Sequence, residues 1–324
     1  MNLIDAVAEQ IRRDGKAVVT WFDVEHVVRH LFKERSFDGR SIKIKRSYPN
    51  KSTYYAIKSA LFNPQSLDLT GPLSELIELQ SVLLEQSAKT GGRFLIPDID
   101  FGSNVWRVAG ISDGTPEELC CLVDPWCHIS HLSAMQRWGL TNRTPYEVHL
   151  TRPNQNFWRS MARAELAEIK ARFPEDLPCS QRIRISFPVQ LRKRKLAVFQ
   201  PSYLGKKVQI SDSYAKISTI GQTFWEMMQE PDRCGGMAHI LEVWEEFSES
   251  YLEEIIETFN EQSEFTTNLA YCRAGYVLEE VAKIEDVRVD KWTSFVRRGG
   301  SAKLDPKAQF QTQYSERWGI SINV

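Results

Sequence analysis

Between Asp124 and Pro145 the chain reads DPWCHISHLSAMQRWGLTNRTP, and five side chains there are of types that do chemistry: Cys127, His128, Ser130, His131 and Ser133. Cys120 and Cys121 lie just upstream. Such a set raises two chemistries, a zinc site and a nucleophile activated by a histidine base. The spacing favours neither. A structural zinc site takes ligands paired on a knuckle or at i, i+4 on one helix face, whereas ELCCLVDP reads as a buried strand on which Cys120 and Cys121 point to opposite sides. A Cys127 nucleophile lacks a third group to orient its base. His26 and His30 stand at i, i+4, but no glutamate in HExxH order accompanies them, so a solvated or satisfied pair is expected. Asp98 and Asp100 form an Asp-x-Asp pair of the kind that holds a divalent cation. Gly102-Ser103 follows them, however, whereas nucleotidyltransferases place their Gly-Ser ahead of the carboxylates, so DIDFGSN reads as a hairpin turn. Glu168-Ile169-Lys170 is the one Glu-x-Lys in a nuclease-like place, on an amphipathic helix. The expectation is a protein with no catalytic residue, no metal and no cofactor.

The elements that carry these residues fit two domains, since 324 residues exceed what one core usually takes. Hydrophobic residues at 42% and charged residues at 26% are ordinary globular values. No apolar run approaches the roughly 20 residues needed to cross a bilayer. The N-terminus reads as an amphipathic helix with acidic residues and no small-residue cleavage site, unlike a secretory signal. Six cysteines (120, 121, 127, 179, 234 and 272) show neither framework spacing nor CxxC, which suits the reduced thiols of a cytoplasmic protein.

The net charge of −1 hides segregated blocks: +5 over residues 1–60, −7 over 61–130, +10 over 131–220, −13 over 221–290 and +4 beyond. Basic blocks attract phosphates and acidic blocks repel them, so the surfaces divide in function, or the two central blocks face each other within the fold.

Along the N-terminal third, Leu3, Ile4, Val7 and Ile11 give a first helix ended near Gly15. Thr20 or Asp23 caps a second helix, WFDVEHVVRHLFKE. SIKIKRSYPN alternates like a short strand. A third helix runs through NKSTYYAIKSALFNP, opened by an Asn or Ser cap, with Tyr55, Ile57, Ala60 and Leu61 inward and Lys51, Ser52, Thr53, Tyr54 and Lys58 outward. After a fourth helix, PLSELIELQSVLLEQSAK, the strands RFLIP and VWRVAG flank the DIDFGSN turn. Helices followed by a β-hairpin are the plan of a winged helix-turn-helix, and the basic N-terminal turn of the third helix suits contact with base edges and phosphates. Arg46, Tyr48, Lys51, Ser52, Thr53, Tyr54 and Lys58 are the expected DNA-binding residues. A second basic surface lies in RIRISFPVQLRKRKLAVFQP, where Arg182, Arg184, Arg192, Lys193, Arg194 and Lys195 project from a strand or tight turn. These residues meet flanking DNA, RNA or an acidic partner, or else pair with the acidic block.

In the opening stretch, Ser130 caps a short helix, Leu132, Met135 and Trp138 give it an apolar face, and Gly139 ends it. HISHLSAMQRWGLTNRTP resembles the motif that opens the C-terminal domain of AbiEi-type antitoxins. Three further blocks follow in that family's order: ISTIGQTFWEMMQEPDRCGGMAHILEVWEEF with its Cys-Gly-Gly turn, LAYCRAGYVLE, and RRGGSAKLDP with ERWGISINV. Arg273-Ala274 stands where many members have Arg-Leu. The resemblance spans about residues 115 to 324.

It implies an α+β protein in which residues 1–112 form the winged helix-turn-helix DNA-binding domain and residues 113–324 a mixed α+β antitoxin domain. It further implies a cytoplasmic, non-enzymatic antitoxin of a toxin-antitoxin system serving abortive infection and phage defence. Its partners would be a nucleotidyltransferase-like toxin and double-stranded DNA, the inverted repeats of its own promoter, bound by a homodimer or paired molecules. The N-terminal module is longer than the family's usual one and lacks its Arg-Gly-x-Tyr hairpin, which leaves the DNA contacts open. The competing function is a standalone DNA-binding regulator, or a helix-turn-helix nuclease, with no toxin partner.

Overall fold

In a computed structural model, residues 1–62, 73–90, 93–173, 180–262, 269–297 and 302–324 are described. The chain runs α1 (Leu3–Arg13), β1 (Val18–Thr20), α2 (Trp21–Glu34), β2 (Ser36–Phe37), β3 (Arg40–Ser41), α3 (Lys51–Leu61), α4 (Leu73–Thr90), β4 (Leu95–Asp98), β5 (Gly102–Val108) and α5 (Pro116–Val123). There follow β6 (His128–Ile129), α6 (His131–Arg137), β7 (Val148–Thr151), α7 (Gln155–Arg172), β8 (Gln190–Leu191), β9 (Arg194–Phe199), β10 (Lys207–Gln209) and β11 (Lys216–Ser218). The last elements are α8 (Ile220–Gln229), α9 (Met237–Phe247), α10 (Leu252–Glu261), α11 (Leu269–Tyr276), β12 (Tyr314–Ser315) and β13 (Ile320–Ser321). The fold is mixed α+β. No described helix is long and apolar enough to cross a membrane.

Contacts divide the chain into two units, Met1–Cys127 with 153–195 and 212–215, and His128–Arg152 with 196–211 and 216–324. The first division thus falls after Cys127 rather than at 112/113, and the chain returns twice to the first unit.

In the first unit, β5 lies between β1 and β4 in an antiparallel sheet. Asn2 caps α1, and Thr20 with Asp23 forms a reciprocal capping box on α2, each satisfying amides that an isolated helix end leaves bare. Gly15, with φ of +66°, follows the end of α1, a conformation that costs glycine nothing. One apolar cluster, including Val7, Val28, Ile57, Leu95 and Val108, joins these helices to the sheet. The segment SIKIKRSYPN is not a strand beyond Arg40–Ser41. That pair closes the tight β2–β3 hairpin, after which Ile42 and Pro49 are the buried residues of the segment.

ELCCLV is a helix, α5, not a strand. Thr115 caps it by accepting the Glu118 amide, Pro116 opens it, and Glu117 and Glu118 complement its dipole. Cys120 and Cys121 are therefore neighbours along a helix, both buried, rather than on opposite faces of a strand.

In the second unit, strands in the order β10-β11-β6-β7-β9 form a mixed sheet, parallel at β11–β6 and β7–β9. Helices α8 to α11 pack around Trp225, Trp244, Trp292, Trp318 and Phe259, all buried. Gly275 permits a close approach: a Cβ there would stand 2.2 Å from the Trp318 ring. Arg273 is buried beside it, its Nη1 donating to the Met228 carbonyl at 2.8 Å and its Nε to the Lys303 carbonyl at 3.1 Å. Burial lowers this guanidinium to about 10. The Gly299-Gly300-Ser301 part of the resemblance, and Cys179, lie outside the described residues.

Candidate functional site

Helix α3 is fixed before its surface is chosen. The Asn50 side chain accepts the Thr53 amide at 3.0 Å, and the Thr53 hydroxyl accepts the Asn50 amide at 3.3 Å, closing a capping box. Tyr54, Ile57 and Leu61, at i, i+3 and i+7, form the buried stripe. Trp21 meets the rings of Tyr54 and Phe62 at 6.0 and 5.6 Å, and Phe62 meets Trp106 at 4.8 Å, so aromatic contacts tie α3 to α2 and to β5. What remains outward is Lys51, Ser52, Tyr55, Ala56, Lys58 and Ser59, with Tyr55 73% exposed.

The chain that leads into this helix is strongly basic: residues 33–58 hold eight Lys and Arg against Glu34 and Asp38. Arg40, Lys43, Lys45 and Arg46 are exposed. Of the residues expected to meet DNA, Arg46, Tyr48, Lys51, Ser52 and Lys58 are at the surface. Tyr54 is not; it is 8% exposed and serves the core. Thr53 is half-buried and its hydroxyl is held in the cap. Tyr55 takes the outward place instead, and strict i, i+3, i+7 counting from Tyr54 finds this where a looser apolar face does not.

The β4–β5 turn behaves as DIDFGSN suggests. Asp98 Oδ1 accepts the amides of Asp100 and Phe101 at 3.0 and 3.1 Å, making the turn, and neither aspartate is left to a cation. Arg192 takes both: Nη2 lies 2.5 Å from Asp98, Nη1 donates to Asp100, and Nε is 2.8 Å from Asp113. Arg192 and Lys193 form the two-residue turn between β8 and β9, with φ of 47° and 65°. Phe101 also meets Phe187 at 6.2 Å, so the hairpin turn is docked within its own unit.

This corrects the second basic surface. Arg192 is spent on three carboxylates, and Arg182 makes a bidentate pair with Glu165 at 2.9 and 3.0 Å while lying over Phe22. Arg184 donates to the Pro153 carbonyl at 3.1 Å. Only Lys193, Arg194 and Lys195 of the six are exposed. In the second unit, Lys206 pairs with Glu261 at 2.7 Å, one direct link between the basic and acidic blocks.

The histidine-rich stretch is buried. Ser130 holds the N-cap position of α6 without capping it: its hydroxyl accepts from Thr151 at 2.8 Å and meets His131 Nδ1 at 2.8 Å. His131 has φ of +51°, and its backbone amide donates to Glu226 at 2.7 Å. Burial pushes Glu226 up to about 7, against the pull of His131, Ser218 and Gln222, and holds the His131 ring well below the usual imidazole range. A cavity of about 20 Å³, room for roughly one water molecule, lies beside His131, Tyr203 and Glu226. Burial likewise raises the Cys127 thiol, which disfavours the thiolate that a nucleophile or zinc ligand requires. Among the described residues no three His, Cys, Asp or Glu side chains are grouped to hold a metal ion. Gly139, at φ of +74°, ends the helix as its sequence suggests.

No known family model matches the chain, and no curated protein matches it in sequence. Among solved structures, the crystal structure of the RV2827C protein from Mycobacterium tuberculosis is similar at 11% identity and a TM-score of 0.44, covering 98% of this chain and 90% of that one. A likeness of that degree bears on neither fold nor function.

Proposed function

We propose that the protein is a cytoplasmic DNA-binding antitoxin of the AbiEi type, which represses its own promoter and counters a nucleotidyltransferase-like toxin. The observation that carries the DNA-binding half is the outward face of α3. Lys51, Ser52, Tyr55 and Lys58 stand exposed on a capped, aromatically anchored helix that follows a dense basic segment. Phosphates are met by the cations and base edges by the polar and aromatic groups between them.

The order α1, β1, α2, α3, β4, β5 and the sheet β1-β5-β4 support reading residues 1 to 112 as a winged helix-turn-helix, with α4 added ahead of the hairpin. Because Arg192 holds the hairpin turn, α3 rather than the wing tip makes the base contacts. Two such helices, one from each of a pair of molecules, reach an inverted repeat when they lie about 34 to 36 Å apart.

The antitoxin half rests on the resemblance over residues 115 to 324 and is supported by how its motifs meet. Gly275 of LAYCRAGYVLE lies against Trp318 of ERWGISINV, and His131 of the opening motif bonds to Glu226 of the second block.

Titration of duplexes from the protein's own upstream region tests the first half. Lys51→Ala with Tyr55→Ala is expected to lower affinity at least tenfold, and unchanged affinity excludes α3. Co-expression with a nucleotidyltransferase-like protein from the adjoining reading frame tests the second. Growth that stays arrested in the presence of the full chain rules the antitoxin role out.

A further inference from the structure

Helix α4 stands between α3 and the β4–β5 hairpin, and contact of α3 with DNA gives it no task. Its buried stripe is Leu76, Gln80, Leu83 and Ser87, at i, i+4, i+7 and i+11, and Gln80 donates to the Pro97 carbonyl at 2.6 Å. Three large apolar side chains of α4 stay outside: Ile77, Leu79 and Val82 are 42%, 44% and 44% exposed. They lie on two flanks. Ile77, with half-buried Leu84, borders a recess that Ile99 and Arg192 also line. Leu79 and Val82 lie on the other flank, roughly 110° around the helix from the buried stripe, beside Glu75, Gln86 and Lys89, which are also exposed.

Glu75, Leu79, Val82, Gln86 and Lys89 follow one another at spacings of four, three, four and three, the heptad spacing by which one helix offers a continuous face to another. The face is symmetric about Val82. Glu75 and Lys89 each stand seven residues from it, about 10 Å along the axis, with opposite charges. Neither forms an ion pair among the described residues. Three glutamates against one lysine make α4 acidic, so it suits a protein partner rather than the DNA phosphates.

We propose that this face binds the same face of a second copy of the chain, with the two α4 helices antiparallel and Val82 meeting Val82 across the dyad. Glu75 then pairs with the partner's Lys89, twice by symmetry, and Leu79 packs on the aliphatic stem of the partner's Gln86. Glu78 and Glu85, which flank the face, come opposite the partner's Gln86 and the partner's Leu79 rather than opposite each other. A parallel pair would set Glu75, Glu78, Glu85 and Lys89 each against its own like charge, so charge selects the antiparallel order. One helix pair is a small interface, below the about 1,200 Å² of stable complexes, so monomer and dimer exchange with concentration. Such a dimer supplies the two molecules that an inverted repeat requires. Only that use rests on the DNA-binding reading, because the association itself is measured without DNA.

Sedimentation velocity of the full chain at low salt, from about 1 to about 200 µM, tests this. The native chain should pass from monomer to dimer across that range. Val82→Glu sets two carboxylates against each other at the dyad and should leave the chain monomeric, with circular dichroism confirming that it is folded. Glu75→Lys and Lys89→Glu, both at exposed positions, each exchange two attractive pairs for two repulsive ones and should weaken association roughly tenfold. Carrying both reversals in one chain should restore the dimer, and so should an equal mixture of the two single variants. The proposal is overturned by a native chain that stays monomeric, by a dimer that Val82→Glu leaves intact, or by charge reversals that do not weaken singly and restore together. A monomeric native chain whose unfolding midpoint falls on Val82→Glu shows that the chain itself covers the face, which overturns the proposal equally.

Discussion

Glu226 accepts the backbone amide of His131 at 2.7 Å, so the first turn of α6 is capped by a carboxylate 95 residues further along the chain. The arrangement has a local cause. His131 is left-handed, a conformation that costs a non-glycine residue about 1–2 kcal/mol, and Ser130 turns its hydroxyl to Thr151 and the His131 ring instead of to the helix amides. A buried carboxylate on α8 takes the place of the missing cap.

That carboxylate gives stability a definite pH dependence. Glu226 titrates near 7 in the fold and near 4.5 when unfolded, so between those values the folded chain holds a proton that the unfolded chain has released. Its contribution is fully present below about 4.5 and is lost as pH rises to about 7, a change of about 3 kcal/mol. Urea unfolding of the native chain and of Glu226→Gln at pH 5, 6, 7 and 8 should show the difference between them shifting in favour of the glutamine by that order. A difference that stays constant with pH refutes the assignment.

The two tyrosines of α3 should separate cleanly. Tyr54→Ala removes a ring packed on Trp21 and is expected to cost about 3–5 kcal/mol of stability. Tyr55→Ala, at an exposed position, should leave unfolding within about 0.5 kcal/mol and weaken DNA binding by about 1–3 kcal/mol. Lys51→Ala and Lys58→Ala should each lower the slope of log affinity against log salt by about 0.9. Denaturation and fluorescence anisotropy on the same proteins decide the matter, and a Tyr55→Ala protein that binds normally removes α3 from the interface.

The contrast between Tyr54 and Tyr55 shows what the sequence makes legible. Caps are local chemistry, so Thr20, Asn50 and Gly139 can be read from residue type and spacing alone. The Thr115-Pro116-Glu117-Glu118 start of α5 was equally local, yet the apolar run after it has the composition of a buried strand. Partner choice is not local. Nothing within RIRISFPVQLRKRK reveals that Arg192 meets aspartates 79 to 94 residues away, and a basic run therefore looked like an open surface. Glu226 lay inside a block valued for its family pattern, and its bond to His131 exists only once the sheet has formed.

Close approach at Gly275 can be tested by the smallest side chain. An added methyl would stand 2.2 Å from the Trp318 ring, and neither α11 nor a fully buried indole can withdraw freely from a packed core. Gly275→Ala is therefore expected to destabilise by about 1–3 kcal/mol, opposite in sign to the usual benefit of alanine within a helix. Thermal unfolding of the variant gives the sign directly, and a raised midpoint contradicts the packing.

The β8–β9 turn sets two adjacent residues against each other in one further experiment. Arg192 and Lys193 both have positive φ, so glycine at either relieves similar backbone strain, about 1 kcal/mol. Their side chains differ. Lys193 is exposed, and Lys193→Gly should stabilise by about 0.5–1 kcal/mol. Arg192→Gly gains the same relief but strips the guanidinium from Asp98, which is fully buried, and from Asp100 and Asp113. Removing one partner from a buried ion pair costs about 3–5 kcal/mol, so a net loss of about 2–4 kcal/mol is expected. Because Asp98 also makes the β4–β5 turn, the loss should appear first as faster amide exchange at Asp100 and Phe101. If both glycine variants prove equally stable, the carboxylates do not depend on Arg192, and the hairpin is held by its own turn alone.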